Sequence, residues 1–100
     1  MARQELVERW FALTRNELPA LGTARRWPVR FDHCFQRILL DNAVGGFWRN
    51  HIAAPAWRHA RDDDLARAIA LGEAAMAGRV DLAELNAKSL AWRGKEGPNR

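Results

Sequence analysis

The chain has 100 residues, 48% of them hydrophobic, with five Trp and four Phe, enough apolar material for one domain with its own core and too much for a disordered tract. No run of about 18 uncharged apolar residues occurs, the first residues read as an amphipathic helix rather than a leader, and the lone Cys34 excludes an internal disulfide or a CxxC pair. A cytoplasmic protein without a membrane partner is expected. The formal charge of +4 is uneven, because residues 25–61 hold seven arginines (Arg25, Arg26, Arg30, Arg37, Arg49, Arg58 and Arg61) against Asp32 and Asp41, and such a basic segment points to an anionic partner.

In chain order, Leu6, Val7, Trp10, Phe11, Leu13 and Leu18 fall at helical spacing and predict a first helix over about 3–18, stopped by Pro19 and Gly22. Residues 23–29 read as an irregular connection, since the residue before Pro28 is pushed out of the α region. Phe31, Cys34, Phe35, Ile38 and Leu39 mark the buried stripe of a second helix from Val29 to about Val44, with Gly45-Gly46 as its stop. A kink or short turn is expected before Pro55. Asp62-Asp63-Asp64 at the N-cap and first turn open a third helix toward Met76, with Gly78 beyond its end. Asp81-Leu-Ala-Glu84 has the form of a capping box for a fourth helix ending near Arg93, with Leu82, Leu85, Ser89 and Trp92 on one stripe.

No segment alternates with period two. The fold class is therefore all-α, a compact single domain of four to five helices over residues 1–95, with 96–100 as a frayed tail.

The densest chemistry is Arg30-Phe-Asp-His-Cys-Phe-Gln-Arg37. Neighbours on a helix point about 100° apart, so Asp32, His33 and Cys34 form no triad by themselves. Cys34 reads as a small buried hydrophobe. His33, Arg37 and Asp41 are spaced i, i+4 and stack on one face, as a grip for an anion, as a solvated face or as a satisfied pair at a helix junction, with Asp41 orienting Arg37. Asn42, on the apolar side, needs partners such as Asn86 or Ser89. Neither His33, Cys34, His51 and His59 nor the Gly45-Gly46 pair has the spacing of a familiar metal or phosphate site, so no metal and no cofactor is expected.

Trp27, Trp48 and Trp57 are interleaved with arginines, the mixture used where guanidiniums take phosphates and indoles stack on unpaired bases. Tryptophans also anchor cores, and at least two of these three are expected to be buried. GC-rich coding would equally give an excess of Arg over Lys.

The runs Arg30-Phe-Asp-His-Cys-Phe35, Asp41-Asn-Ala-Val-Gly45, Pro55-Ala56 and Ser89-Leu-Ala-Trp-Arg-Gly-Lys95 resemble small bacterial proteins grouped with the GCN5-related acetyltransferases. That resemblance implies a mixed α/β fold and a pyrophosphate-binding R/Q-x-x-G-x-G/A loop. The chain shows no such loop, and no catalytic residue is assigned from it.

The residues thus predict a non-enzymatic helical module that binds an anionic partner, nucleic acid first, through Arg25, Arg26, Arg30, Arg37, Arg49, Arg58 and Arg61 with Trp27 and Trp57. An alternative is a small enzyme or ligand-binding domain with a polar pocket of His33, Arg37, Asp41, Asn86 and Arg93 where helices two and four meet. A further alternative is a protein-interaction role, with a partner protein or a second copy docking on exposed Trp and Leu side chains.

Overall fold

A computed structural model describes residues 1–94; the expected tail at 96–100 lies outside the described residues. Among the described residues every regular element is helical: α1 (Arg3–Phe11), a π segment (Ala12–Glu17), α2 (Leu18–Gly22), α3 (Asp32–Val44), a 3₁₀ turn (Trp48–Asn50), α4 (Ala56–His59), α5 (Asp62–Met76) and α6 (Leu82–Trp92). The all-α fold read from the periodicity is the fold observed, and no helix among the described residues is long and apolar enough to cross a membrane.

The first helix does not stop at Pro19. Its turn widens over Ala12–Glu17, where the Leu18 N–H reaches the Leu13 carbonyl five residues back. Pro19 follows directly, in the first turn of α2, so the widened turn lies where an unbroken α-helix would set the proline ring against the carbonyl four residues back. Thr14, fully buried in the widened turn, donates its hydroxyl proton to the Trp10 carbonyl (2.9 Å) and accepts from Gln36 Nε2 of α3 (3.0 Å).

The second predicted helix starts three residues late. Phe31 remains extended as the N-cap residue of α3, and the Asp32 carboxylate receives the His33 N–H at 2.8 Å in the first turn. Gly45, at φ 75°, ends α3 in the left-handed region that glycine enters without a Cβ clash.

Helix α3 is central, packing against α5, α6 and the first helical rod, while α1 also packs on α5. Arg3 pairs with Asp62 (2.9 Å) and Arg9 with Glu73 (3.0 Å), so α1 and α5 run in the same direction. Arg9 also pairs with Glu17; that hydrogen bond holds the Glu17 carboxyl below the usual carboxylate range and raises the Arg9 guanidinium above its ordinary value. The core comprises Leu6, Trp10, Leu13 and Leu18 of the rod, Phe35, Ile38 and Leu39 of α3, Leu65 and Ile69 of α5, and Leu82 of α6.

The closest approach is at Gly72 of α5. A Cβ there would lie 2.6 Å from Leu13 Cδ2 and 3.0 Å from Leu39 Cδ1, and both leucines are fully buried. Gly72→Val is therefore expected to destabilise the protein by about 1–3 kcal/mol despite its better backbone entropy. Urea unfolding checks this, and an unchanged midpoint would show that the three helices separate more easily than this packing allows.

Candidate functional site

The carboxylate of Asp41, fully buried near the end of α3, organises the polar centre of the molecule. Its Oδ2 accepts from Ser89 Oγ (2.6 Å) and Arg93 Nε (2.7 Å), and its Oδ1 from Arg93 Nη2 (3.1 Å) and the Trp48 N–H (2.9 Å). A buried carboxylate is tolerated because a two-toothed guanidinium and two further donors replace its water. Asp41 thereby fixes α6 and the 3₁₀ turn to α3, and Arg93 also lies 4.1 Å over the Phe47 ring.

Arg37, one turn earlier on α3, donates from Nη1 to Ser89 Oγ (2.8 Å) and from Nη2 to Asn86 Oδ1 (2.9 Å). Asn86, Ser89 and Arg93 follow one another at i, i+3 and i+7, so a single face of α6 meets Arg37 and Asp41. Asn42 instead donates to the carbonyls of Ile38 (2.8 Å) and Leu85 (2.9 Å).

Of the pocket read from the sequence, Arg37, Asp41, Asn86 and Arg93 are brought into one network, joined by Ser89. Asp41 is buried at the junction with α6, not on a solvated face. One detail differs from expectation: it binds Arg93 directly while reaching Arg37 only through Ser89, because α6 comes between the side chains that i, i+4 spacing would stack. His33 stays outside the network, its side chain 76% exposed and its ring stacked on the exposed Phe31 at 5.9 Å.

Beside this network opens a cleft of about 820 Å³, within the usual size of ligand sites, roughly 300–1,000 Å³. Its buried lining residues are Trp10, Leu40 and Ala56; Phe11, Phe47, Trp48, Pro55 and Trp57 add aromatic and apolar surface, and Ala54 and Gln36 complete that lining. The cationic side chains are Arg37, Arg49 and Arg93, with His33 beside them. Among the described residues no carboxylate lines it.

One side of the cleft depends on Arg3. Its Nη1 donates to the Ala60 carbonyl (2.6 Å) and Nη2 to the Trp57 carbonyl (2.7 Å), which holds α4 against α1 and lets the Trp57 ring lie 6.1 Å from Phe11. The peptide before Pro55 is cis. Arg3, Phe11, Gln36 and Phe47 were not candidates by sequence, since each joins the site through a contact between segments distant in the chain.

The predicted arginine surface is divided. Arg37 and Arg49 line the cleft with Trp57, and Arg58 is exposed on α4 next to Trp57. Arg25 donates to the Ala75 carbonyl at the C-terminal end of α5 (2.9 Å), whereas Arg61, 3.8 Å from Asp63, stands at its N-terminal end. The helix between them is 15 residues long, which sets the two ends roughly 21 Å apart at the helical rise. Arg26 (φ 55°) and Arg30 are exposed on the 23–31 connection near Arg25.

Trp27 packs edge-on to Phe35 at 5.8 Å. Burial of at least two of Trp27, Trp48 and Trp57 is not what the structure shows, since the first two are half-buried and Trp57 is 41% exposed. Trp10 carries that core role instead. Cys34 is half-buried rather than enclosed, and Trp92 is 40% exposed although it shares the stripe of Leu85 and Ser89.

No model of a known protein family, no curated protein and no solved structure matches the chain.

Proposed function

We propose that this protein is a non-enzymatic binding module for single-stranded nucleic acid, with the cleft between α3, α4 and the 3₁₀ turn as its binding surface. One observation carries this reading: aromatic side chains and three arginines share an open cleft that no carboxylate of the described residues enters. Exposed indole faces accept unpaired bases of any sequence, and guanidiniums take the intervening phosphates. A duplex hides its base faces and gains nothing from Trp48 or Trp57. The lone, half-buried Cys34 suits the reducing conditions of a cytoplasmic setting.

The test is a titration of labelled single- and double-stranded oligonucleotides by fluorescence anisotropy at several salt concentrations. Single strands are expected to bind, with the logarithm of the affinity falling linearly with the logarithm of salt by about 0.7 per phosphate engaged. Trp57→Ala should weaken binding roughly 5- to 100-fold, the loss of one stacked base. Absence of binding at low salt, or a preference for duplex, would overturn the reading.

A further inference from the structure

Apart from the exposed Arg25, bound to the Ala75 carbonyl, Arg37 differs from the other arginines that the fold holds in place. Arg3, Arg9, Arg67 and Arg93 each lie within 3.0 Å of a carboxylate oxygen. Arg37 is half-buried, yet among the described residues its guanidinium contacts only the neutral oxygens of Ser89 and Asn86.

The proton count explains why. A serine hydroxyl has one proton, and that of Ser89 goes to Asp41 Oδ2, so its oxygen can only accept from Arg37. The Asp41 charge is met in turn by both teeth of the Arg93 fork. Among the described residues the positive charge of Arg37 therefore has no carboxylate of its own, while two hydrogen bonds fix its plane. Three of its five N–H donors remain unassigned, and the side chain lines the cleft. A guanidinium fixed in this way, with no anion of its own and no carboxylate beside it, is preorganised for an oxyanion.

We infer that Arg37 is the anion anchor of the cleft, taking the phosphate of a nucleotide whose base packs against the aromatic lining. This rests on the cleft being the binding surface, and it adds that a single nucleotide, free or within a strand, is held through its phosphate by this one residue. Ser89 and Asn86 are positioning residues, acting through Arg37. Arg49, exposed at the margin and 5.3 Å over the Trp48 ring, adds long-range attraction.

The experiment is equilibrium binding of adenosine 5′-monophosphate and of adenosine to the intact protein, followed by calorimetry and by thermal shift. The wild-type protein is expected to bind the nucleotide about 10-fold or more tighter than the nucleoside. Arg37→Gln should bring that ratio to about 1, Arg37→Lys should restore part of it, and Arg79→Gln, an exposed arginine outside the cleft, should leave it intact. Equal binding of the two compounds by the wild-type protein overturns the inference whether or not any variant folds. So does a ratio that survives in folded Arg37→Gln.

A labelled single strand titrated in parallel separates the two ideas. Strand binding with no preference for the phosphate defeats the Arg37 anchor and leaves the strand reading standing. A phosphate preference that depends on Arg37, without strand binding, supports the anchor and defeats the strand reading. Binding of neither defeats both.

Discussion

Asp41→Asn is expected to destabilise the protein by about 3–5 kcal/mol, the usual result of removing one partner from a buried ion pair. The carboxylate accepts four hydrogen bonds, from Ser89, from the Trp48 N–H and twice from Arg93. An amide of the same shape has one acceptor oxygen. Its NH₂ would face donors already directed at that position, and Arg93, only 17% exposed, would keep its charge without a counter-ion. Thermal unfolding should register a fall of about 12 °C or more, at roughly 4 °C or more per kcal/mol for a domain of this size. The combined Asp41→Leu, Arg93→Met variant should be more stable than Asp41→Asn, because the guanidinium at residue 93 is removed together with its carboxylate. If Asp41→Asn melts within a degree or two of the wild type, the network contributes little and α6 is held by its apolar face alone.

Trp10→Ala should cost about 3–5 kcal/mol, whereas Trp57→Ala should cost under about 1 kcal/mol, although both side chains line the same cleft. Trp10 is 2% exposed, in contact with the core, and its carbonyl receives the Thr14 hydroxyl in the π segment. Removing the indole leaves a cavity that the surrounding helices fill only in part. Trp57 has one flank in water, and its backbone stays in place because Arg3 binds the main-chain carbonyl rather than the ring. The two substitutions should therefore divide cleanly, Trp10→Ala lowering the denaturation midpoint and Trp57→Ala lowering strand affinity at nearly unchanged stability. A large stability loss in Trp57→Ala would mean that this ring is a structural anchor, and the stacking role would go with it.

The packing geometry of the network explains why it was only half legible beforehand. Arg37 and Asp41 are visible as a stacked pair from their spacing alone, and Asn86 and Arg93 share one face of the last helix by the same arithmetic. Spacing cannot say which guanidinium takes the carboxylate. That depends on how far α6 slides along α3, and the slide places Arg93 against Asp41 and Ser89 between Asp41 and Arg37. The aromatic half of the cleft was harder still, because Phe11, Phe47 and Trp57 come from three segments whose meeting is arranged by Arg3 and by the Trp48 N–H bond to Asp41.

The sequence by itself determined the four longer helices, since the 3.6-residue recurrence of apolar side chains reports on the buried face of each one, with Phe31 and Trp92 at the ends of their stripes left exposed. It likewise determined the stop at Gly45, where only a residue without a Cβ enters the left-handed region cheaply. Where the arginine excess lies in the chain was also plain. The tertiary structure alone decided that the first helix runs through Pro19 by widening its turn, that the arginines divide between the two ends of α5, that Asp41 is buried, and that Arg37 meets no carboxylate among the described residues. Each of these is a property of two elements in contact, and a periodicity carried by one element holds no information about the distance or register of its neighbour.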